Sequence, residues 1–257
     1  MDIANFSLDM FSLAGRNAVV TGGNTGLGRA ISLALAKAGA DVFAVGLAED
    51  DGTTRRLIEG AGRRVEFMLA DITQPGVPAA IVHRCVEMLG SIDILVNSAG
   101  IALLSDVEEF GRRQWDPMVS VNLTAAFELA HEASRFMIKQ RSGKIINIGS
   151  LFSFLGGRRS PAYAATKAGI MGFTKAYCEE LAAYNIQVNA IAPGYFKTAI
   201  TEATRADPAD RRIVEHIPAA RWGEPADLMG AAVFLASRAA DYVNGHVLVV
   251  DGGYLVR

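Results

Sequence analysis

Short apolar runs alternate with segments of helical composition along most of this chain. The apolar runs predict strands at residues 17–21, 41–45, 65–70, 93–96, 144–148, 186–192 and 246–250. The segments between them predict helices at residues 29–38, 79–89, 115–139, 162–183 and 225–236. Strands that alternate with helices at this rhythm are typical of a parallel sheet with right-handed crossovers. We therefore expect an α/β fold with a doubly wound parallel sheet.

The length of the chain is compatible with one large α/β domain. We interpret residues 1–257 as a single domain, since 257 residues can bury an extensive core and no linker or repeat interrupts them. After the sixth predicted strand comes a polar, helix-capable insertion at about residues 195–218. Its position beside the carboxyl end of a strand predicts a lid over a substrate site.

The composition of the chain narrows the classes of molecule that it is expected to bind. The net charge is −2, with 51% hydrophobic and 20% charged residues, so the chain has no field strong enough to gather nucleic acid or anionic lipid. No apolar run reaches the ~20 residues of a membrane helix. Cys85 and Cys178 have no CxxC or Cys/His spacing, so we expect neither a disulfide framework nor a metal site. A reducing cytoplasm fits this cysteine usage best.

The segment from Ser150 to Lys167 carries the central candidate chemistry. Tyr163 and Lys167 are four residues apart, and Pro161 is typical of a first helical position, so both side chains share one helix face. A nearby ammonium favours the phenolate and lowers the pKa of Tyr163, which makes the phenol a general acid or base. Ser150 follows a predicted buried strand, where its hydroxyl can hold a substrate oxygen. The alternative is a helix whose tyrosine and lysine only pack together.

A glycine-rich turn, TGGNTGLG, follows the first predicted strand at residues 21–28. It lies between a strand and a helix, so its backbone amides and the helix dipole can stabilise a pyrophosphate. A plain strand-to-helix turn without a ligand is the alternative. The predicted cofactor contacts in the turn are Gly22, Asn24, Thr25, Gly26, Leu27 and Gly28.

The residues after the second strand normally decide between NAD and NADP. An acid there binds the ribose 2′-hydroxyl, whereas an arginine accepts a 2′-phosphate. Gly46 stands at the usual position of the acid, so Glu49 serves only if the loop folds back. No basic residue precedes Arg29 in the glycine turn, and Arg55 and Arg56 fall within the next probable helix. These residues favour NAD and do not exclude NADP.

Further motifs follow the other strands. Asp71 can accept a hydrogen bond from adenine or cap a helix. The small-residue turn at 97–100 permits close approach of a flat ring. Asn122 is an unfavourable residue inside the long helix predicted there, and it can hold a kink or a water beside Lys167. Thr198 can bond the carboxamide of a nicotinamide or act as an N-cap. The further predicted cofactor contacts are Asp71, Ile72, Asn97, Ala99, Gly100, Tyr163, Lys167, Pro193, Gly194 and Thr198.

Together these motifs resemble the short-chain dehydrogenase/reductase family over essentially the whole chain. The matching features, in the order and spacing of the family, are TGGNTGLG, Asp71, NSAG, Asn122, Ser150 with YAATK, and Pro193-Gly194 with Thr198. One departure is Ser98, where the family commonly has a second asparagine. The resemblance implies a seven-stranded Rossmann sheet with helices on both faces, a nicotinamide cofactor and a homotetramer built partly from two long helices. It also implies a catalytic set of Asn122, Ser150, Tyr163 and Lys167.

The carboxyl-terminal third is similar to the branch of this family that acts on sugar acids. The strings NAIAPGY, IPAARWG and DYVNGHVLVVDGGYL carry that similarity, at residues 189–195, 217–223 and 241–255. It implies hydride transfer between a nicotinamide cofactor and a secondary alcohol or ketone of a sugar acid, of the 2-deoxy-D-gluconate or 2-keto-3-deoxy-gluconate type.

The resemblance assigns a role to each member of the expected site. During oxidation Tyr163 takes the hydroxyl proton, Ser150 orients the same oxygen, Lys167 holds the nicotinamide ribose, and Asn122 supports a water path. The substrate carboxylate needs a cation, and Arg159, just before the catalytic helix, is the best placed by sequence. A solvated surface arginine is the alternative for Arg159. The expected substrate contacts are thus Ser150, Arg159 and Tyr163.

Two other functions remain open on the same residues. One is a reductase of another carbonyl, such as a 3-oxoacyl thioester or a ketone, because a lid with Phe196, Ile200 and Ile213 suits an apolar substrate equally well. The other is a catalytically silent nucleotide-binding scaffold, against which the complete set of serine, tyrosine and lysine argues.

Overall fold

A seven-stranded parallel sheet forms the centre of the protein. The computed structural model describes residues 6–206 and 210–257. The strand order is β3-β2-β1-β4-β5-β6-β7, and all pairings are parallel. The strands are β1 (Asn17–Thr21), β2 (Asp41–Gly46), β3 (Val65–Leu69), β4 (Ile94–Asn97), β5 (Gly143–Ile148), β6 (Ile186–Pro193) and β7 (Val247–Val250). The order reverses between β1 and β4, and open α/β sheets bind ligands at the carboxyl end of such a switch point.

Helices cover both faces of this sheet. They are α1 (Gly26–Lys37), α2 (Thr53–Gly60), α3 (Val77–Leu89), α4 (Arg112–Val119), α5 (Ala125–Gln140), α6 (Pro161–Leu181), α7 (Glu202–Ala206), α8 (Asp210–His216) and α9 (Met229–Ala236). On one face Val20 packs in a buried cluster with Leu35 of α1 and Leu235 of α9. On the other face Val19 packs with Leu129 of α5. Neighbouring strand residues therefore point to opposite apolar layers, and the predicted α/β fold is confirmed.

The alternation of apolar runs located every strand to within one residue at either end. The helices differ more. Helix α1 begins at Gly26, three residues earlier than predicted, because the turn's own glycines form its first positions. The helix predicted at 115–139 is two helices, α4 and α5, separated by a π-helical turn at Ser120–Thr124. Asn122 lies in this turn, so its expected disturbance of the helix is present as a π-turn.

The insertion after β6 is largely helical, as its composition indicated. It contains a short 3₁₀ turn at Ala199–Thr201, followed by α7 and α8. Residues 207–209 of the predicted insertion lie outside the described residues. Its function as a lid stays a prediction.

Two further features bear on the expectations from composition. In the described part of the chain, no helix has both the length and the apolar character needed to cross a bilayer. Cys85 and Cys178 are both free thiols.

A buried carboxylate ties the first residue of β2 to the residues that lead into β3. The side chain of Asp41 is only 7% exposed and accepts hydrogen bonds from the backbone N–H of Arg64 at 3.0 Å and from its Nε at 2.7 Å. The guanidinium of Arg63 lies 2.6 Å from the same carboxylate. Burial raises the pKa of Asp41, but the hydrogen bonds and charges of Arg64 and Arg63 outweigh it and hold the pKa below its ordinary value.

Replacing this carboxylate tests how much stability the two arginines contribute. We expect Asp41→Asn to lower the free energy of unfolding by about 1–3 kcal/mol at pH 7. Because its pKa is lower in the folded state, Asp41 contributes stability above the unfolded pKa and loses it as the pH falls through the folded pKa. Urea unfolding should therefore show a constant difference near neutral pH that shrinks below about pH 4.

Glu108→Gln, in an exposed loop, is the matched control and should leave the free energy of unfolding unchanged. A difference between wild type and Asp41→Asn that stays undiminished in acid would contradict the role given to the charge.

Candidate active site

Ser150 and Tyr163 meet at the carboxyl end of β5. Ser150 is buried and is the N-cap of a 3₁₀ turn, where its Oγ accepts the N–H of Phe152 at 3.2 Å. Pro161 opens α6, as predicted, and places Tyr163 in the first turn of that helix. The hydroxyl of Ser150 acts on the phenol of Tyr163 in the direction that lowers its pKa. The ring of Phe152 stands edge-on to that of Tyr163, with centroids 5.9 Å apart, and covers the phenol from one side.

Lys167 is buried beneath this pair. Its Nζ donates to the carbonyl oxygen of Ile148 at 2.7 Å and lies 5.6 Å from the centroid of the Tyr163 ring. Burial lowers the pKa of Lys167 to about 8, because the charged ammonium loses its hydration. Tyr163 and Lys167 thus share one helix face, as their spacing predicts.

The effect of this arrangement on the phenol differs from the expectation. The pKa of Tyr163 is raised, first because burial disfavours the phenolate, while the hydrogen bond with Ser150 acts in the opposite direction. The physical reason is that the ammonium of Lys167 bonds a strand carbonyl and lies beside the ring. Without a ligand, Tyr163 is therefore a protonated phenol at neutral pH.

The π-turn between α4 and α5 places Asn122 beside Lys167. The Nδ2 of Asn122 donates to the carbonyl oxygen of Ile101 at 2.9 Å, and its Oδ1 accepts the N–H of the same residue at 2.8 Å. A Cβ on Gly100 would stand 3.3 Å from Asn122 Oδ1 and 3.7 Å from Lys167 Nζ. The structure therefore brings together all four predicted catalytic residues, Asn122, Ser150, Tyr163 and Lys167.

The glycine turn has the shape that a pyrophosphate requires. A Cβ on Gly28 would lie 2.1 Å from the carbonyl oxygen of Gly22, so only glycine lets the turn close over the start of α1. Gly26 has a φ of +49°, and the methyl group of Thr198 lies over it, 3.8 Å from where its Cβ would be. Backbone amides at a helix N-terminus can hold a diphosphate under Thr198. These residues fit the phosphate portion of a dinucleotide.

A cleft of about 310 Å³ continues from this turn along the ends of β2 and β3. We call it the β2–β3 cleft, and Asn24, Gly46, Glu49, Asp50, Arg55 and Phe67 are among its lining residues. The loop after β2 folds back so that Glu49 lines this cleft. Glu49 can contact a ribose only if the loop folds back in this way. The guanidinium of Arg55 lies over the ring of Phe67 at 5.1 Å and bonds Glu59 at 3.2 Å.

The turn at 97–100 lies against the glycine turn. Its stability depends on Thr21, whose Oγ1 accepts the N–H groups of Ser98 at 3.0 Å and Ala99 at 3.1 Å. The backbone N–H of Ser98 therefore bonds Thr21, although serine stands where the family commonly has an asparagine. Asn97 donates to Asn147 at 2.9 Å, below the floor of the site, and its buried Oδ1 has no partner among the described residues.

The predicted residues at the edge of the site mostly contact other residues of the protein. The carboxylate of Asp71 accepts from Thr73 N at 3.0 Å, Thr73 Oγ1 at 2.7 Å and Gln74 Nε2 at 3.0 Å. These bonds lower its pKa and close a turn before α3, whose N-cap is Gly76, so Asp71 does not cap that helix. Its contact with adenine stays a prediction, as does that of the buried Ile72 beside it. Gly194 packs tightly on Asp251, since a Cβ there would lie 2.6 Å from the Asp251 Cα.

Arg159 is paired within the protein. Its Nε lies 2.9 Å from Asp106 Oδ1, and its backbone carbonyl accepts the N–H of Ser105 at 3.0 Å. The side chain is 50% exposed, and the residue has a φ of +65°, which is unfavourable for a bulky side chain. The structure thus gives Arg159 a partner in the loop after β4, and its contact with a substrate stays a prediction.

Sequence reasoning missed two residues that hold the site together. Ser153 Oγ accepts the N–H of Ser150 at 3.1 Å and donates to the carbonyl of Lys167 at 2.8 Å, which joins the strand end to α6. Thr21 is the other, as described above. The only signal for either was its place in a motif, Thr21 before the glycines and Ser153 three residues after Ser150. Within residues 6–206 and 210–257, no group of three or more His, Cys, Asp or Glu side chains could hold a metal ion.

Comparisons with known proteins agree with this geometry. A family model described as enoyl-(acyl carrier protein) reductase matches residues 22–255. The chain is 62% identical to an uncharacterized oxidoreductase, YgcW, of Escherichia coli, with 98% of this chain and 97% of the relative covered. It is 46% identical to the 2-dehydro-3-deoxy-D-gluconate 5-dehydrogenase of E. coli, over 97% and 99% of the two chains.

Among solved structures, a putative 2-deoxy-D-gluconate 3-dehydrogenase from Agrobacterium tumefaciens with bound NADP has a TM-score of 0.90 and 46% identity, over 96% of this chain and 99% of that one. The catalytic geometry, the family model and these relatives all agree. The chain belongs to the short-chain dehydrogenase/reductase family.

Proposed function

We propose that this protein transfers a hydride between a nicotinamide cofactor and a secondary alcohol or ketone of a sugar acid. The observation that carries the proposal is the convergence of Ser150, Tyr163, Lys167 and Asn122 beside the glycine turn at the switch point of the sheet. Relatives named 2-dehydro-3-deoxy-D-gluconate 5-dehydrogenase, at 45–47% identity, support a sugar acid as the substrate class.

The chain's own residues fit a dinucleotide along a continuous path. The amides of the glycine turn hold the pyrophosphate at the start of α1, the β2–β3 cleft takes the adenosine, and Thr198 lies over the turn on the way to Tyr163. The bound NADP of the Agrobacterium neighbour supports a nicotinamide dinucleotide here. When bound, the nicotinamide supplies the hydride donor or acceptor.

Tyr163 is the proton-transfer group in this proposal. Because its pKa is raised in the ligand-free protein, it is ready to protonate a carbonyl oxygen at neutral pH, and oxidation of an alcohol gains from higher pH. Ser150 orients the substrate oxygen and stabilises the phenolate through its hydrogen bond. Behind them Lys167, with a pKa lowered to about 8, can exchange a proton near neutral pH. Asn122 holds the loop after β4 in place through its two hydrogen bonds with Ile101.

Arg159 is the proposed anchor for the substrate carboxylate. It lies two residues before α6 and bonds Asp106, so a substrate carboxylate must replace the Asp106 carboxylate. The pair is about half exposed on both sides, and ion pairs of that kind are weak enough to exchange.

One observation favours a second candidate, the reduction of an apolar carbonyl compound such as a 3-oxoacyl thioester. The loops after β4, β5 and β6 expose large apolar side chains, namely Leu104, Phe154, Leu155 and Ile200, each more than 40% accessible. Such a rim suits an acyl chain as well as a sugar acid. A silent scaffold has no comparable support, since the catalytic groups are assembled.

We also propose a homotetramer that functions in the cytoplasm. In support of the assembly, α5 exposes Phe127, 45% accessible, whose ring meets Phe173 and Tyr177 of α6 at 6.2 Å each. An aromatic face on two adjacent helices is suited to burial against another subunit.

In support of the cytoplasmic location, the thiols of Cys85 and Cys178 are free.

The substrate class is tested directly with purified protein. We expect kcat/KM for 2-deoxy-D-gluconate or 2-keto-3-deoxy-gluconate to exceed that for acetoacetyl thioester by about 100-fold or more, because a site that bonds hydroxyl groups rejects a substrate without them. Tyr163→Phe should reduce kcat by about 10²–10⁴-fold while cofactor binding, followed by fluorescence, persists. Faster turnover of the thioester would favour the second candidate, and full activity of Tyr163→Phe would overturn both.

The hydrogen bond from Ser150 makes a separate prediction about pH. Because this bond lowers the pKa of Tyr163, Ser150→Ala should raise that pKa, so the ascending limb of kcat/KM for oxidation moves to higher pH. We also expect kcat to fall about 10²–10³-fold, since a donor to the reacting oxygen is lost. Ser142→Ala, at the other end of β5, is the control and should retain the wild-type profile. A lower rate with an unmoved limb would contradict the bond's effect on the phenol.

The proposed contact between Arg159 and the substrate carboxylate predicts that two substitutions change KM in opposite directions. Arg159→Leu should raise KM for a sugar acid about tenfold or more and leave the corresponding neutral sugar unaffected, because only the acid loses a charge-assisted pair. Asp106→Asn should lower KM for the acid, since Arg159 is released. Arg158→Leu removes the neighbouring exposed charge and serves as control. Equal effects on the acid and the neutral sugar would exclude Arg159 as the anchor.

A further inference from the structure

We propose that a pocket at the amino ends of β4, β5 and β6 binds a small hydroxycarboxylate through Lys144, Gln187 and Arg238. The pocket has a volume of about 180 Å³ and lies at the edge of the sheet opposite to Tyr163 and the glycine turn. We call it the β4–β6 pocket. Its ligand is a second small molecule, separate from the cofactor and the substrate, so the inference does not depend on the proposed function.

Three neighbouring strands form the floor of the β4–β6 pocket. Ile94, Lys144 and Gln187 are paired across β4, β5 and β6, and paired residues of parallel strands point to the same face of a sheet. Ile94 belongs to the apolar cluster that also contains Leu235 of α9, so all three side chains lie on the face that α9 covers. A lysine ammonium and a glutamine amide therefore stand side by side at the edge of an apolar layer.

The amide of Gln187 is buried without a partner in the protein. The residue is 6% exposed and lines the pocket, and among residues 6–206 and 210–257 no hydrogen bond to its side chain is present. Asn189, on the same face of β6, shows the usual arrangement, because its Nδ2 donates to Val243 O at 2.7 Å and its Oδ1 accepts the N–H of His246 at 3.0 Å. Buried amides that lack such bonds are rare and costly. The Gln187 side chain thus offers a ligand one acceptor oxygen and one NH₂ donor.

Lys144 is incompletely balanced by its partner in the protein. Its side chain is 11% exposed, and its Nζ donates to Asp241 Oδ1 at 2.7 Å, which is one bond from a group that has three donors. Burial lowers the pKa of Lys144, and the charge of Arg16 adds to that effect, while Asp241 opposes it without cancelling it. One carboxylate therefore offsets only part of the cost of burying this ammonium, and a second anion beside it is favourable.

The charged groups that line the pocket leave an excess of one positive charge. The three cations are Arg16, Lys144 and Arg238, and the two carboxylates are Asp93 and Asp241. Asp93 already accepts a bond from Arg16 at 2.9 Å, as Asp241 does from Lys144. Arg238 has no ion pair within the described part of the chain. A monoanion therefore neutralises the pocket.

These groups favour a hydroxycarboxylate over phosphate or a neutral polyol. A carboxylate accepts charge-assisted hydrogen bonds from Lys144 and Arg238, and a hydroxyl group can both donate to and accept from the Gln187 amide. Phosphate carries more negative charge at neutral pH than the pocket balances, and glycerol carries none. Leu13 and Ile94 supply apolar contacts for a short carbon chain. Roughly six water molecules fill about 180 Å³ of liquid, and glycerate, with about seven non-hydrogen atoms, is of this size.

The test is calorimetric titration of the purified protein with D-glycerate. We expect saturable binding, and Gln187→Met and Lys144→Met should each raise the dissociation constant about tenfold or more. Lys37→Met removes a charge from the exposed last residue of α1, outside the residues that line the pocket, and should leave the constant within about twofold. Glycerol and inorganic phosphate should bind at least about tenfold more weakly than glycerate. Absence of saturable glycerate binding up to about 10 mM would overturn the inference.

The proposed substrate site also accepts carboxylates, so a second pair of variants separates the two sites. Arg159→Leu and Tyr163→Phe should bind glycerate as wild type does, because both residues lie at the other edge of the sheet. Loss of glycerate binding in Arg159→Leu together with its retention in Gln187→Met would assign the ligand to the substrate site and overturn the inference.

The pocket variants are expected to fold. Methionine has nearly the length of lysine and glutamine, and Asp241, which Lys144→Met leaves unpaired, is 54% exposed and stays hydrated. Circular dichroism and the thermal transition without ligand check this. If either variant fails to fold, Gln187→Glu provides the second measurement, since it puts a negative charge at the same place and size. Glycerate should raise the thermal transition of wild type in proportion to its binding and leave that of Gln187→Glu unchanged. An equal rise in both would contradict the β4–β6 pocket as the site.

Discussion

The burial of the Lys167 ammonium is the constraint on which the site depends. A charged amine that is 5% exposed loses most of its hydration, a cost of several kcal/mol unless polar groups replace the water. The protein supplies the carbonyl of Ile148 at the end of β5, at 2.7 Å, and the pKa falls to about 8. The end of β5 and the first turns of α6 must therefore stay in register, and Ser153 fixes them there by bonding both Ser150 and Lys167.

The same burial affects Tyr163 and Lys167 differently. Burial acts in opposite directions on a phenol and an amine, because it disfavours whichever form is charged. It raises the pKa of Tyr163 and lowers that of Lys167, so the phenol holds its proton to higher pH while the amine loses its proton at lower pH. The ligand-free protein thus holds a neutral phenol beside an amine that titrates near neutral pH. Ser150 is the group that opposes the effect of burial on the phenol.

The sequence predicted features that depend on local pattern. The alternation of apolar runs located the strands, Pro161 marked the first turn of α6, and the spacing of Tyr163 and Lys167 put them on one face. Features that depend on contacts between distant segments were missed or left open. One such feature is the π-turn that contains Asn122, whose side-chain amide bonds Ile101, 21 residues away, through both its nitrogen and its oxygen.

The same limit applies to Glu49 and Arg159, the residues expected to contact the cofactor ribose and the substrate carboxylate. Whether Glu49 faces the cofactor depends on a bond from Asn24 to Ala48, 24 residues along the chain, and no periodicity encodes that contact. Whether Arg159 is free depends on Asp106 in the loop after another strand. Arg159 also has a φ of +65°, a conformation that costs about 1–3 kcal/mol in a residue with a side chain and must be maintained by its surroundings. Its carbonyl bond to Ser105 and its ion pair with Asp106 provide that restraint. If Arg159 is the carboxylate anchor, as proposed, a substrate carboxylate that replaced Asp106 would keep the guanidinium paired and remove this ion pair from the loop after β4.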